Sequence, residues 1–168
     1  ELVHDEVLCT DEFTLRAVHT PGHVSNHFCF LLEEEHMLFA GDHIMNGSTV
    51  VIVPPSGDMK AYIESLQLLL RYDLHLIAPG HGEVMEDSKA IVEWLVNHRL
   101  KREAKVIKGL QQTGRTDLDH LVKVVYDDGS EDLHTMAKLS MSAHLIKLHR
   151  ENRALQHEED ASWELIEI

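Results

Sequence analysis

Three short segments constrain the fold of this chain most, because each places a metal-ligand side chain directly after a glycine. They are HTPGH at 19–23, LFAGDHI at 38–44 and APGHG at 78–82. Proline fixes φ, and glycine adopts backbone conformations that other residues avoid, so each segment is expected to end a strand and project the next side chain. The pattern predicts that His23, Asp42 and His81 lie at strand ends.

These three side chains suit a metal ion. Two imidazoles and one carboxylate form a ligand set typical of Zn²⁺, and also of Mn²⁺ or Fe. Spacing alone leaves an alternative open, in which the two histidines are turn residues and Asp42 accepts hydrogen bonds from backbone N–H groups. His27 either orients a ligand or is a strand-end histidine bonded to the backbone. His43 is expected to point away from Asp42's side, since successive strand residues face opposite sides.

Apolar periodicity predicts a meander of strands followed by helices. The predicted strands are 7–9, 13–19, 28–32, 37–40 and 74–78, and the predicted helices run from an Asp58 cap to about Arg71 and over 88–112. The loop at Asn46-Gly47-Ser48 could border a substrate cleft.

The chain changes character after Gly114. Thr116–Asp119 resembles a capping box that opens a short helix, which Asp128-Gly129 is expected to break. Further short helices are predicted at Leu133–Leu139 and from Ser140 or Ser142. Strands at 153–157 and 162–166, with a turn at Glu159-Asp160, are expected to close the chain. Three small helices and a hairpin are typical of a winged helix.

The three glycine segments, in this order with strands between them, resemble the metallo-β-lactamase superfamily. More narrowly, they resemble its glyoxalase II-like hydrolases and β-lactamase-like ribonucleases. The resemblance implies an αββα sandwich with two metal ions, in which His23 binds the first, His81 the second, and Asp42 bridges both as the catalytic residue. LHTMAKLSMSAHLIKLHRENRAL at 133–155 resembles the winged-helix tail of one branch of these hydrolases.

The leading family motif, His-x-His-x-Asp-His, is absent, since no two histidines are separated by one residue. We therefore expect an α/β chain: the C-terminal half of an αββα sandwich at 1–97, and a small winged-helix-like α+β domain at 98–168. Each of two Zn²⁺ ions would keep only two protein ligands, below the three that catalytic zinc sites use. This predicts weak metal binding and little catalysis by this chain alone, unless it forms a homo-oligomer or associates with a missing N-terminal half.

The negative charge of the chain disfavours nucleic acids as partners. The formal net charge is −14, and residues 1–97 hold 4 Lys/Arg against 16 Asp/Glu. Such a surface repels phosphate backbones unless metal ions intervene, and the tail is not basic enough to predict DNA binding. No apolar run is long enough to cross a membrane, and two cysteines with no signal-peptide pattern favour a cytoplasmic protein.

The predicted function is a metal-dependent hydrolase of an ester, thioester or similar bond in a small molecule. Two alternatives stay open at this point. One is a nuclease or phosphodiesterase acting on RNA with the same site. The other is a non-catalytic half-domain that acts in assembly.

Overall fold

The structure is a computed structural model that describes residues 2–127 and 134–166. It divides into two compact units, one formed by the residues up to Val50 with Ser56–Asn97, the other by Val51–Pro55 with the residues from His98 onward. The elements are β1 (Val7–Cys9), β2 (Thr14–His19), β3 (Phe28–Leu32), β4 (Met37–Gly41), α1 (Met59–Leu69), β5 (Leu76–Pro79), β6 (Met85–Glu86), α2 (Ser88–Thr113), α3 (Leu118–Val125), α4 (His134–Arg150), β7 (Ala154–Gln156) and β8 (Trp163–Leu165).

The first unit is built on a six-stranded sheet in the order β1-β2-β3-β4-β5-β6. All neighbours are antiparallel except β4 and β5, which pair in parallel with Leu38 opposite Ile77. Parallel neighbours need a crossover connection, and α1 lies in it. Residues that follow β4 and β5 therefore meet at one edge of the sheet, and residues that precede them meet at the opposite edge.

Both faces of this sheet are apolar. On one face Cys29, Leu38 and Ile77 are fully buried in the core of the first unit. On the other face Phe30 lies opposite Phe39, and Phe39 remains 44% exposed. Strands that are apolar on both faces are typical of sheets covered on both sides. The second face is thus suited to packing against a further layer, as the predicted sandwich requires.

Helix α1 begins at Asp58, as the sequence predicts. The Asp58 carboxylate accepts a hydrogen bond from the N–H of Ala61 at 3.0 Å. The N–H of Asp58 donates to the carbonyl oxygen of Gly22 at 2.8 Å, and the Ser65 hydroxyl donates to that of Pro21 at 2.7 Å. These bonds fasten the helix to the Pro-Gly turn that precedes His23.

The second unit contains α3, α4 and the β7–β8 hairpin. The two short helices expected at Leu133–Leu139 and from Ser140 or Ser142 are wrong for the described residues, because α4 runs unbroken over His134–Arg150. The helix continues through Ser140 and Ser142 because Met141, which lies between them, and Leu145, one turn later, pack into the core. Leu133 and the Asp128-Gly129 break lie outside the described residues.

Asp117, rather than Thr116, caps α3, and its carboxylate accepts a hydrogen bond from the N–H of His120 at 2.8 Å. The backbone of Thr116 instead pairs with that of Trp163. The N–H of Thr116 donates to the carbonyl oxygen of Trp163 at 2.9 Å, and the N–H of Trp163 donates back at 2.8 Å. The capping box expected at Thr116 is therefore displaced by one residue. Within the described residues, no helix is long and apolar enough to cross a membrane.

Candidate metal centre

Asp42 and His81 lie together at the edge where β4 and β5 end. The N–H of Gly80 donates to the carbonyl oxygen of Gly41 at 2.7 Å, which draws the two strand ends together. The Nε2 atom of His81 then lies 3.4 Å from Oδ1 of Asp42. The two side chains are 73% and 48% exposed, so both are open to solvent.

Glycine is required at this edge for space. A Cβ on Gly80 would lie 2.8 Å from Oδ1 of Asp42 and 3.0 Å from the carbonyl carbon of Gly41. Gly41 has a φ of +51°, and a Cβ there would lie 3.0 Å from Nε2 of His27. A real Cβ essentially never lies as close as 2.8 Å to another atom, and the 3.0 Å contacts are tight, so a side chain on Gly80 would displace Asp42.

His23 projects from the turn between β2 and β3, and it is partly buried. Gly22 before it has a φ of +135°, and a Cβ there would lie 2.2 Å from Cα of Tyr62 in α1. The turn therefore packs directly on the helix backbone. Nε2 of His27 lies 3.0 Å from the position that a Cβ of Gly41 would take, so His27 lies beside the residue that precedes Asp42.

His27 closes the loop that carries His23. Its Nδ1 is 2.8 Å from the hydroxyl oxygen of buried Thr20, and its carbonyl oxygen accepts from the N–H of Thr20 at 2.9 Å. Burial lowers the pKa of the His27 imidazole, and the charge of His23 lowers it further. The ring thus bonds to a side-chain hydroxyl, which fixes its orientation.

His43 is fully buried, whereas its neighbour Asp42 is open. Its ring lies 5.5 Å from that of His27 and 4.8 Å from that of Tyr62, measured between centroids. The Tyr62 hydroxyl donates to the carbonyl oxygen of His43 at 2.9 Å. His43 packs in the core while Asp42 is open, but both residues follow the end of β4, so a turn rather than strand alternation separates the two side chains.

The arrangement fits a cation between Asp42 and His81. Two ligand atoms 3.4 Å apart can both lie about 2 Å from one ion, the usual length of Zn–N and Zn–O bonds. His23 lies farther away, and the three predicted ligands do not form a group whose ligand atoms all lie within 4.8 Å. Among the described residues one such group exists, formed by His36, Asp73 and His75.

Sequence reasoning missed the group of His36, Asp73 and His75, which could have been found only by predicting that β4 and β5 pair in parallel. The cleft expected beside the loop at Asn46-Gly47-Ser48 corresponds to an open cavity of about 720 Å³. Its apolar lining includes Met45, Met85, Ile91, Trp94 and Leu95.

Two family models match the chain in succession. The metallo-β-lactamase superfamily model matches residues 10–81, and the β-lactamase associated winged helix domain matches residues 118–163. The chain belongs to the metallo-β-lactamase superfamily. The first two glycine segments fall within the first match, and the third overlaps its end, which is His81.

Relatives of this superfamily chain cover most of its length. It is 34% identical over 154 residues to a β-lactamase-like protein 2 homologue of Drosophila melanogaster, which covers 90% of this chain and 51% of that protein. It is 32% identical over 145 residues to an atrochrysone carboxyl ACP thioesterase of Aspergillus chevalieri, covering 82% and 46% respectively. The chain spans about half the length of the curated relatives it matches.

A solved structure supports the fold. A metallo-β-lactamase family protein from Thermus thermophilus superposes with a TM-score of 0.82 at 24% identity, over 98% of this chain and 54% of that one. The predicted fold class, an α/β metallo-β-lactamase portion followed by a winged helix, is confirmed.

Proposed function

We propose that this chain carries one side of the metal site of a hydrolase that cleaves thioesters or related esters. The observation that carries the proposal is the 3.4 Å approach of His81 Nε2 to Asp42 Oδ1, on side chains open to solvent at the shared edge of β4 and β5. The superfamily membership supports hydrolysis, and a relative described as a carboxyl ACP thioesterase supports a thioester substrate.

In this proposal His23 and Asp42 would hold one divalent ion, and Asp42 and His81 would hold a second. Such ions, when bound, would activate water and polarise a carbonyl oxygen. Asp42 would be the ligand common to both, because its carboxylate is 48% exposed and lies beside His81 at the same edge. Each ion needs ligands beyond those of this chain, since catalytic zinc sites use three protein ligands.

Residues of the first unit also suit the acyl part of such a substrate. Asn46 lines the cavity, and its Nδ2 donates a hydrogen bond to the carbonyl oxygen of Glu83 at 3.2 Å. This bond connects the cavity wall to the segment that follows His81. The cavity of about 720 Å³ falls within the usual range for small-molecule sites, and Trp94 and Ile91 give it an apolar wall. The net charge of −14 disfavours a polyanionic substrate such as RNA.

The test compares an acyl thioester panel with single-stranded RNA, in the presence of Zn²⁺, Mn²⁺ or Fe²⁺. Because each ion lacks protein ligands in this chain, we expect slow, metal-dependent thioester hydrolysis, and a loss of at least about 100-fold in kcat/KM for Asp42→Asn, which removes the ligand common to both ions. Glu64→Gln is the matched control, since Glu64 lies exposed on α1 and is expected to change nothing. Cleavage of RNA with no thioester turnover would replace the proposal with a nuclease. Thioester turnover that is unchanged in Asp42→Asn would reject the site.

A further inference from the structure

We propose that His36, Asp73 and His75 form a second divalent transition-metal site, of the Zn²⁺ class, at the sheet edge opposite Asp42. Each residue offers one ligand atom, and the three atoms all lie within 4.8 Å of one another. Two imidazoles and one carboxylate are the protein ligands of many zinc sites that keep a water in the fourth position. No role in the proposed hydrolysis involves these residues.

The register of the sheet brings the two histidines together. His36 directly precedes β4, His75 directly precedes β5, and the first residues of these parallel strands, Met37 and Leu76, are paired. The N–H of His75 donates to the carbonyl oxygen of His36 at 2.8 Å. The site therefore rests on adjacent strands rather than on loops alone, and this gives the rigidity that metal sites need.

The side chains are already close to ligand positions. Asp73 Oδ2 lies 3.2 Å from His36 Nδ1, and Asp73 Oδ1 lies 3.6 Å from His75 Nε2. The two imidazole rings stack with centroids 4.4 Å apart. One carboxylate thus faces a nitrogen of each ring, so an ion can replace the Asp73 contacts after small rotations of exposed side chains.

The ligand chemistry of the group suits a divalent ion. Such an ion would bind the neutral form of both rings, and the Asp73 carboxylate would supply negative charge. The ion would tie the β3–β4 turn to the segment that enters β5.

This site is separate from the Asp42 edge. His36 and Asp42 flank the same strand at its two ends, and six steps at about 3.3 Å each place them roughly 20 Å apart. His75 and His81 flank β5 in the same way. Metal bound at one edge therefore shares no ligand with metal bound at the other, and substitutions can separate the two.

The test is a calorimetric titration of the chain with Zn²⁺ alone, in a background of His23→Ala, Asp42→Asn and His81→Ala. We expect about one Zn²⁺ per chain in this background, bound by the three remaining ligands. Adding His36→Ala and His75→Ala is expected to weaken binding at least about tenfold, since two of three protein ligands are lost. His120→Ala, at an exposed histidine of α3, is the matched control and is expected to leave the affinity unchanged.

A second readout identifies the ligands directly. In ¹⁵N spectra of the histidine rings, Zn²⁺ is expected to shift the resonances of His36 and His75 together and to leave that of His120 in place. Circular dichroism of each variant checks that it is folded. The proposal is overturned if the background variant binds no Zn²⁺, or if it binds equally well after both His36→Ala and His75→Ala.

Discussion

The N–H of Gly80 donates a 2.7 Å hydrogen bond to the carbonyl oxygen of Gly41, where two parallel strands end side by side. The next residue after each glycine is a candidate ligand, His81 or Asp42. Because a Cβ on Gly80 would lie 2.8 Å from Asp42 Oδ1, the glycine both closes the backbone and leaves room for the carboxylate. The geometry of the candidate centre depends on this one position.

Gly80→Ala is expected to displace Asp42 and to lower the free energy of unfolding by about 1–3 kcal/mol through overpacking. Metal-dependent hydrolysis should fall with it, because Asp42 and His81 no longer face each other. Gly114→Ala is the control, since a Cβ there meets nothing within 4 Å and only its φ of +66° is strained, at about 1–2 kcal/mol. Chemical denaturation and the thioester assay check both variants. Wild-type activity in Gly80→Ala would contradict the steric argument.

Gly22→Ala is expected to be more damaging, with a loss of at least about 3 kcal/mol in unfolding free energy. Its Cβ would lie 2.2 Å from Cα of Tyr62, and backbone cannot move aside as a flexible side chain can. Gly114→Ala tests the conformational part alone, because that glycine has a φ of +66° with no atom within 4 Å of its Cβ position. Similar losses in the two variants, measured by urea unfolding, would show that Tyr62 does not limit the turn.

Glu103 gives the second unit a dependence on acid. Burial opposes its charged form, but the nearby side chains of His144 and Lys147 outweigh burial and lower the pKa of Glu103 to about 2. Its carboxylate lies 2.8 Å from Lys147 Nζ and 3.4 Å from Arg153. A lowered pKa stabilises the fold above the ordinary value near 4.5, and this contribution is lost as the pH falls from about 4.5 towards 2.

The variant Glu103→Gln is therefore expected to cost about 1–3 kcal/mol at pH 7, since the largely buried Lys147 loses one of its two carboxylate partners and keeps Glu151 at 3.0 Å. The loss should shrink as the pH falls below about 4.5. Glu93→Gln, in an exposed pair with Lys89, is the control and should cost less than about 1 kcal/mol. Denaturant unfolding between about pH 7 and pH 3 measures both. Parallel pH profiles for wild type and Glu103→Gln would contradict the assignment.

The two thiols are expected to react very differently. Burial raises the pKa of the Cys29 thiol to about 12, whereas Cys9 is exposed. Since the thiolate is the reactive form, one thiol per native chain should react quickly with a disulfide reagent, and a second only after unfolding. Cys9→Ser should remove the fast reaction. A fast reaction that persists in Cys9→Ser would show that Cys29 is accessible.

Local patterns predict much of this fold. Asp58 and the apolar stripe that follows it predict α1, and the unbroken apolar run Phe28–Leu32 predicts a buried strand, as observed. Patterns fail where distant pairing decides. Thr116 has the residue type of a cap, but its backbone pairs with Trp163, so Asp117 takes the cap instead.

The candidate site shows the same division. The glycines before Asp42 and His81 predict that both side chains project from strand ends, and the structure agrees. Their contact depends on β4 and β5 pairing in parallel across the α1 crossover, which residue spacing does not specify. The family resemblance predicted that Asp42 and His81 lie at one metal site. It made no prediction for His36 and His75, which the same strand pairing brings together.

The most direct test of the account is a Zn²⁺ titration followed by ¹⁵N NMR of the histidine rings, in wild type and in Asp42→Asn. Binding at the Asp42 edge should shift the His81 and His23 resonances together, and Asp42→Asn should weaken the response at least about tenfold, because it removes the ligand common to both. The surface residue His120 should not respond. If His81 and His23 respond no more than His120, or respond equally in Asp42→Asn, the metal centre proposed here is wrong.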